Sequence, residues 1–74
     1  MESYKNLSGQ SGVAAYEIES DSIKVQFKDG HVYLYTYASA NSGNVERMKS
    51  LAVAGSGLNS FINTSVRKSY ASKW

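Results

Sequence analysis

The chain has 74 residues and a formal net charge of +2, and it contains neither cysteine nor proline. A domain of this size buries only about 60% of its unfolded surface, so it seldom builds the deep, water-excluding site that an enzyme needs. The absence of cysteine excludes disulfides and thiolate metal sites. A net charge of +2 is too small to indicate nucleic-acid binding by itself.

The charge is divided unevenly along the chain. Residues 1–44 hold three lysines against five carboxylates, a net charge of −2, whereas residues 45–74 hold five basic side chains against one carboxylate, a net charge of +4. Basic residues in the second part fit either the solvated faces of two helices or one side of a nucleic-acid interface. Residues 1–5 do not begin a secretory signal, and no apolar run reaches the about 20 residues of a transmembrane helix. We therefore expect a cytoplasmic protein that has no membrane partner.

The first elements in chain order are an arm and a strand. Residues 1–11 are rich in glycine and serine and predict a flexible N-terminal arm, followed by a single domain at residues 12–74. Alternation over residues 13–19 predicts a strand with two distinct faces. One face carries Ala14, Tyr16 and Ile18, and the other carries Val13, Ala15 and Glu17. Ser20 and Asp21 then predict a tight turn.

Residues 22–37 predict a β-hairpin whose turn contains Asp29 and Gly30. Two registers fit the sequence. A two-residue type I′ turn would leave the tyrosines on the open face beside basic side chains, whereas a type I turn with Gly30 in a G1 bulge would place Tyr33 and Tyr35 in the core with Phe27. We favour the bulge because two buried tyrosine rings add core volume that so small a domain needs.

Two helices are predicted after a polar loop at residues 38–43. The first covers residues 44–54, with Asn44 as its N-cap and Gly55 as its stop. The second follows the connector at residues 55–57, and its apolar residues recur at steps of three and four; they are Leu58, Phe61, Ile62, Val66 and Tyr70. The predicted fold is α+β: a three-stranded antiparallel meander with two C-terminal helices packed on one face.

Most of this pattern, over residues 11–70, resembles the KTSC domain, which occurs at the C-terminus of some bacterial lysyl-tRNA synthetases and as a free-standing protein. The residues that carry the resemblance are Ser11, Val13, Tyr16, Val25, Phe27, Gly30, Tyr33, Tyr35, Gly57, Asn59, Phe61, Val66, Arg67 and Tyr70. The loop at residues 38–43 departs from the family, in which a Val-Pro commonly introduces the first helix. The resemblance implies RNA binding, a role inferred for the family from its attachment to a synthetase. A polar residue often replaces Leu34 in the family, which favours the bulge register.

The residue types needed for catalysis or metal binding are scarce. His31 is the only histidine, and Asp29 beside it is explained by turn chemistry. Glu17, Glu19 and Asp21 suit a solvated face better than a cation site. We therefore expect no enzyme activity, no metal and no cofactor.

The remaining candidates are basic and aromatic side chains that together predict a non-enzymatic binding module, for RNA or a ribonucleoprotein. The predicted phosphate contacts are Lys24, Lys28, Arg67 and Lys68, and the predicted stacking residues, if exposed, are Tyr33, Tyr35 and Tyr37. Lys73, Tyr70 and Trp74 extend the basic C-terminal patch. The alternative is a module for protein interaction or homodimerisation that uses an open sheet face or an edge strand.

Overall fold

A computed structural model of the chain describes residues 1–7, 9 and 11–74. Within them the strands form one antiparallel sheet in chain order: β1 (Glu2–Ser3), β2 (Val13–Glu19), β3 (Ser22–Phe27), β4 (Val32–Thr36) and β5 (Ser72–Lys73). The helical elements lie between β4 and β5: α1 (Tyr37–Ala40), α2 (Ser42–Ala54), α3 (Leu58–Phe61) and a π-helix (Ile62–Val66). The α+β class and the antiparallel sheet are confirmed. The sheet has five strands in the described residues and not the predicted three, because β1 and β5 add an edge on each side.

The N-terminal residues around β1 pack against the domain, in the segment for which the sequence predicts a flexible arm. Tyr4 is only 6% exposed, and its N–H donates to the carbonyl of Ala14 at 3.0 Å. Its hydroxyl accepts from the N–H of Leu58 at 3.4 Å, and the N–H of Leu7 donates to Gly55 at 2.8 Å. These bonds fasten the arm to the start of α3 as well as to the sheet. Residues 8 and 10 of the predicted arm lie outside the described residues.

The hairpin between β3 and β4 adopts the bulged register, which confirms the preferred alternative. The N–H of Gly30 donates to the carbonyl of Phe27 at 2.9 Å, and the N–H of Phe27 donates to His31 at 2.9 Å. Gly30 has a φ of +94°, the left-handed conformation that this turn requires. Val25 consequently lies opposite Tyr33 and Ile23 opposite Tyr35, which places both tyrosines on the core face of the sheet.

A second irregularity, in β2, corrects the predicted faces of that strand. The pairing between β2 and β3 shifts between Val13 and Ala15. Val13 lies opposite Phe27, as Tyr16 lies opposite Val25, so Val13 and Tyr16 share the core face instead of occupying opposite faces. The extra residue of a β-bulge reverses the alternation of everything before it.

Local capping explains where the helices begin and end. Helix α1 replaces the last residue of the predicted hairpin and the first part of the predicted loop. It is capped because the Thr36 hydroxyl accepts from the N–H of Ser39, and the Ser39 hydroxyl accepts from the N–H of Thr36, each at 3.0 Å. Helix α2 begins at Ser42, not at residue 44, because the side chain of Asn41 accepts from the N–H of Gly43 at 2.8 Å. It ends at Gly55 as predicted. The last helical element ends at Val66, four residues short of the predicted Tyr70.

The helices cover one face of the sheet and form the core with it. The buried apolar residues of the helices are Ala40, Val45, Met48, Ala52, Leu58, Ile62 and Val66, and those of the strands are Val13, Ile23, Val25 and Tyr35. Burial of these side chains is the main contribution to stability in a domain without disulfides. In the described residues, no helix has the length and apolar character to cross a membrane.

Candidate functional site

An open cavity of about 540 Å³ lies between the β3–β4 hairpin and the end of the π-helix. We call it the aromatic groove. Its principal lining residues are Phe27, Lys28, Tyr33, Arg67, Lys68 and Tyr70. Tyr35 and Asn63 also line it. Folding thus collects five of the seven predicted site residues, Lys28, Tyr33, Tyr35, Arg67 and Lys68, in a single place.

The rings of the groove form one cluster around Tyr33. Its centroid is 5.3 Å from that of Phe27 with an interplanar angle of 87°, and 5.1 Å from that of Tyr70 with an angle of 73°. Both are edge-to-face pairs, the arrangement that the quadrupoles of aromatic rings favour. Phe27, Tyr33 and Tyr70 are partly buried and partly open to the groove. A ligand in the groove would therefore make apolar contacts with these rings. The contacts between the rings hold them in position.

Tyr35 lies at the bottom of this cluster and belongs to the core. Its side chain is 1% exposed, and its ring is nearly parallel to that of Tyr33 at a centroid distance of 6.5 Å. Burial, followed by the neighbouring Tyr33 and Tyr70, raises the pKa of Tyr35 to about 12. The predicted stacking role of Tyr35 depends on exposure, and that condition is not met, because the ring is covered by protein.

Three cations stand at the rim of the groove on two different walls. Lys28 is placed by the hairpin, where its N–H donates to the carbonyl of Gly12 at 2.8 Å. Arg67 and Lys68 form the turn that follows the π-helix. All three side chains are exposed, and none forms an ion pair within the part of the chain that the structure describes.

The acidic residue at the rim is Asp29, whose carboxylate is directed back to its own turn. One oxygen accepts from the N–H of His31 at 3.0 Å, and the other lies 3.9 Å from Nε2 of the His31 ring. This is the turn chemistry that the sequence predicts for Asp29. The rim of the groove consequently has an excess of positive charge.

Strand β5 brings a fourth cation to the same face of the sheet. Lys73 lies opposite Tyr33 in the pairing of β4 with β5, and its Nζ is 5.4 Å from the centroid of the Tyr33 ring. The sequence predicts Lys73 as part of the basic patch but does not predict the strand that places it beside Tyr33. A strand of two residues has too few positions to show a period of two.

Two predicted site residues, Lys24 and Tyr37, lie away from the groove. Lys24 faces the other side of the sheet, where its Nζ is 3.7 Å from Glu17 and 5.9 Å from the centroid of the Trp74 ring. Tyr37 is the first residue of α1, at the end of the hairpin remote from its turn, and its hydroxyl donates to Glu46 at 2.5 Å. Lys24 and Tyr37 therefore do not share the groove with the other predicted site residues, and their roles as phosphate contact and stacking residue stay predictions.

Tyr37 belongs instead to a polar cluster that joins the helices to the sheet. Nζ of Lys49 is 2.8 Å from Glu46, and it donates to the carbonyl of Ser20 at 3.0 Å. Hydrogen bonds from Lys49 and then from Tyr37 lower the pKa of Glu46, while the hydrogen bond with Glu46 raises the pKa values of Lys49 and Tyr37. These hydrogen bonds keep Glu46 ionised and keep Lys49 and Tyr37 protonated, which are their usual states at neutral pH. The cluster therefore needs no role beyond connecting the helices to the sheet.

Comparison of the chain with protein-family models, with curated protein sequences and with solved structures gives no match. The resemblance to the KTSC domain therefore stays a prediction. Among the described residues, no group of three or more histidine and carboxylate side chains could hold a metal ion.

Proposed function

We propose that this protein is a non-enzymatic binding module that takes single-stranded RNA in the aromatic groove. The observation that carries the proposal is the meeting, in one cavity, of three exposed cations from two walls with three partly open aromatic rings. Single-stranded nucleic acids are bound by this combination, in which cations contact the phosphates and rings contact the bases. The resemblance to the KTSC domain adds the context of RNA.

The chemistry of the groove favours binding over catalysis. Its ionisable groups are the three rim cations, tyrosines and Asp29. The carboxylate of Asp29 accepts a hydrogen bond from the N–H of His31 in its own turn. A hydrolytic or transfer reaction needs a nucleophile beside a general base, or two carboxylates that face each other. The described groove residues form neither arrangement. A ligand that is held by charge and ring contact, without chemical change, fits the groove best.

The test is RNA binding by charge-removal variants, measured by fluorescence anisotropy with a labelled single-stranded RNA at low salt. We expect Lys28→Ala, Arg67→Ala and Lys68→Ala each to weaken binding severalfold, because each removes one phosphate contact. The triple variant should bind more than tenfold more weakly, since it removes the cations of both walls.

Two matched controls remove the same charge elsewhere. Arg47 is an exposed cation of α2 that does not line the groove, and Lys24 lies on the opposite face of the sheet. Arg47→Ala and Lys24→Ala should change the affinity less than twofold. Equal losses of affinity in the control variants and the groove variants would mean that RNA binding depends on the net charge of the protein and not on the groove. Absence of any RNA binding by the unaltered chain at low salt would refute the proposal.

A second candidate function is association with another copy of the chain. It is favoured by a patch of exposed apolar side chains, Met1, Ile18 and Val53, that lines a shallow depression remote from the aromatic groove. Exposed apolar groups that adjoin one another are typical of protein contact surfaces. Light scattering at increasing protein concentration tests it: a dimer in the unaltered chain that dissociates in Ile18→Ser with Val53→Ser supports association, and a monomer at all concentrations refutes it.

A further inference from the structure

We infer that the aromatic groove binds a single nucleotide unit, one base with its adjoining phosphates, and not a run of stacked bases laid along the sheet. The inference rests on the proposed function and deepens it by naming the unit of ligand that the groove accepts. It follows from how the sheet is covered, from the volume of the groove, from the angles between its rings and from the placement of its cations.

The sheet cannot serve as an extended platform for bases, because helices cover its aromatic face. Val25 and Ile23, the cross-strand partners of Tyr33 and Tyr35, are fully buried. Met48 of α2 and Leu58 of α3 are fully buried in the same core. Phe27, Tyr33 and Tyr70 therefore open to solvent together where the helices end, beside the hairpin turn. A strand of RNA that crossed this face would have to displace the core.

The volume of the opening suits a small ligand. A cavity of about 540 Å³ lies within the range of roughly 300–1,000 Å³ that is typical of sites for single small molecules. One nucleoside monophosphate is a ligand of the size that such sites bind. The groove is open, so the chain of an RNA on either side of the bound nucleotide can remain in solvent.

The ring angles also favour one base. A series of stacked bases needs a series of roughly parallel ring faces, as on an open aromatic platform. Here Phe27 and Tyr70 stand at 87° and 73° to Tyr33, and the one ring nearly parallel to Tyr33 is the buried Tyr35. A base that enters meets one ring face and is bordered by the neighbouring rings. Neither of the two partly open rings beside Tyr33 lies parallel to it, so neither continues a stack that begins on Tyr33.

The cations are arranged as the phosphates of one nucleotide require. Within a strand, each nucleotide has one phosphate on its 5′ side and another on its 3′ side. Lys28 stands on the hairpin wall, and Arg67 with Lys68 stands on the helical wall, with the rings between them. Cations on both walls can each contact one phosphate while the base lies on the floor. The same chemistry would recognise a free nucleoside monophosphate, so the experiment must distinguish the two sources.

The first experiment measures affinity against RNA length, with unlabelled oligouridines of one, two, three, four and eight nucleotides competing with a labelled RNA. The one-nucleotide competitor is uridine 5′-monophosphate. A longer oligomer offers more positions at which it can bind, so its affinity is divided by the number of those positions. We expect this corrected affinity to rise up to two or three nucleotides, when both phosphates are present, and then to stay constant. A continued rise beyond four nucleotides would overturn the single-nucleotide site but leave RNA binding intact. Equal affinity for the monophosphate and the longest oligomer would keep the inference and overturn RNA as the ligand.

The second experiment fills the groove without changing its charge. Asn63 is exposed, lines the groove and has no charge, so Asn63→Trp adds a large ring there. Ser50→Trp, at an exposed position of α2 outside the groove, is the matched control. We expect Asn63→Trp to lose binding of the monophosphate and of the oligomers together by more than tenfold, and Ser50→Trp to lose neither.

Thermal unfolding of both variants shows whether the fold is retained, and Lys68→Glu supplies an independent test if Asn63→Trp does not fold. Lys68→Glu should lower the affinity for uridine 5′-monophosphate and the oligomers by similar factors and leave the affinity for uridine, which lacks a phosphate, unchanged. Full monophosphate binding by a folded Asn63→Trp protein, or by Lys68→Glu, would place the nucleotide outside the groove and overturn the inference.

Discussion

Tyr35 lies where the hydrophobic core meets the floor of the aromatic groove, and its ionisation is linked to folding. Burial raises the pKa of Tyr35 from 10.0 to about 12. Above pH 10 the unfolded chain loses this proton while the folded chain retains it, so the free energy of unfolding must fall as the pH rises from 10 to 12. A shift of this size corresponds to about 2 kcal/mol over that interval.

Urea unfolding of the unaltered chain and of Tyr35→Phe, at pH 9 and again at pH 12, measures this contribution. Phenylalanine keeps the ring but cannot ionise. From pH 9 to pH 12, the free energy of unfolding of Tyr35→Phe should therefore fall by about 2 kcal/mol less than that of the unaltered chain. The other five tyrosines are common to both proteins and cancel in the comparison. The same loss of stability in both proteins would show that Tyr35 ionises as readily in the folded chain as in the unfolded one.

Among the elements, the hairpin between β3 and β4 decides which residues reach the groove. Its register depends on Gly30, whose φ of +94° is unfavourable for residues with a side chain. A Cβ atom added at Gly30 would meet nothing within 4 Å, so substitution has a conformational cost but no steric one. We expect Gly30→Ala to lower the free energy of unfolding by about 1–2 kcal/mol and Gly30→Asn by less, because asparagine tolerates this conformation better.

Gly12→Ala is the control for that measurement. A Cβ atom at Gly12 would lie 3.7 Å from Asn59 and from Phe27, an ordinary contact distance, and Gly12 does not have a positive φ. Chemical unfolding should show a much smaller change for Gly12→Ala than for Gly30→Ala. If both substitutions cost the same, the left-handed conformation of Gly30 is not what fixes the hairpin.

Strand β1 is the second element with a testable energetic role, through Tyr4, which follows it. Tyr4 is 6% exposed and bonded to both the sheet and the start of α3, whereas Leu7, three residues later, is 70% exposed. Replacing a buried large aromatic side chain by alanine lowers the free energy of unfolding by about 3–5 kcal/mol. Replacing an exposed side chain changes it by no more than about 0.5 kcal/mol. We therefore expect Tyr4→Ala to be strongly destabilising in urea unfolding and Leu7→Ala to be nearly neutral. Small, equal effects would mean that the N-terminal residues are free of the domain, as the glycine-rich composition predicts.

Strands and helices differ in how well the sequence predicts them. Alternation and helical spacing predict β2, β3, β4, α2 and the helical segment that begins at Leu58, because the apolar residues of each recur with the period of a strand or a helix. They miss β1 and β5, since a two-residue strand is held by backbone hydrogen bonds that leave no pattern in side chains. They also misplace the start of α2, because the side chain of Asn41 caps it from a backbone conformation with a φ of +83°, which the residue pattern does not reveal.

For the molecule as a whole, the groove is assembled from residues that are distant in sequence. Lys28 comes from residues 1–44, which have a net charge of −2, and Arg67 and Lys68 come from residues 45–74, which have a net charge of +4. The residue types of the site could be predicted, but their grouping could not. Lys24 and Lys28 are four residues apart, yet one faces away from the helices and the other stands at the groove, because the strand ends and the turn begins between them. Only the fold distinguishes the two lysines.

The same grouping sets the salt dependence of RNA binding, which depends on how many phosphates are contacted and not on the net charge of the chain. For single strands the logarithm of the association constant falls with the logarithm of salt concentration with a slope of about −0.7 per neutralised phosphate. Two phosphates held between the groove walls predict a slope of about −1.4, shared by oligomers of three nucleotides and longer. Lys28→Ala, which leaves one wall without its cation, should reduce the slope to about −0.7, while Arg47→Ala should leave it unchanged. Anisotropy titrations at four or five salt concentrations measure the slopes, and a slope that steepens with RNA length would indicate a phosphate track that extends beyond the groove.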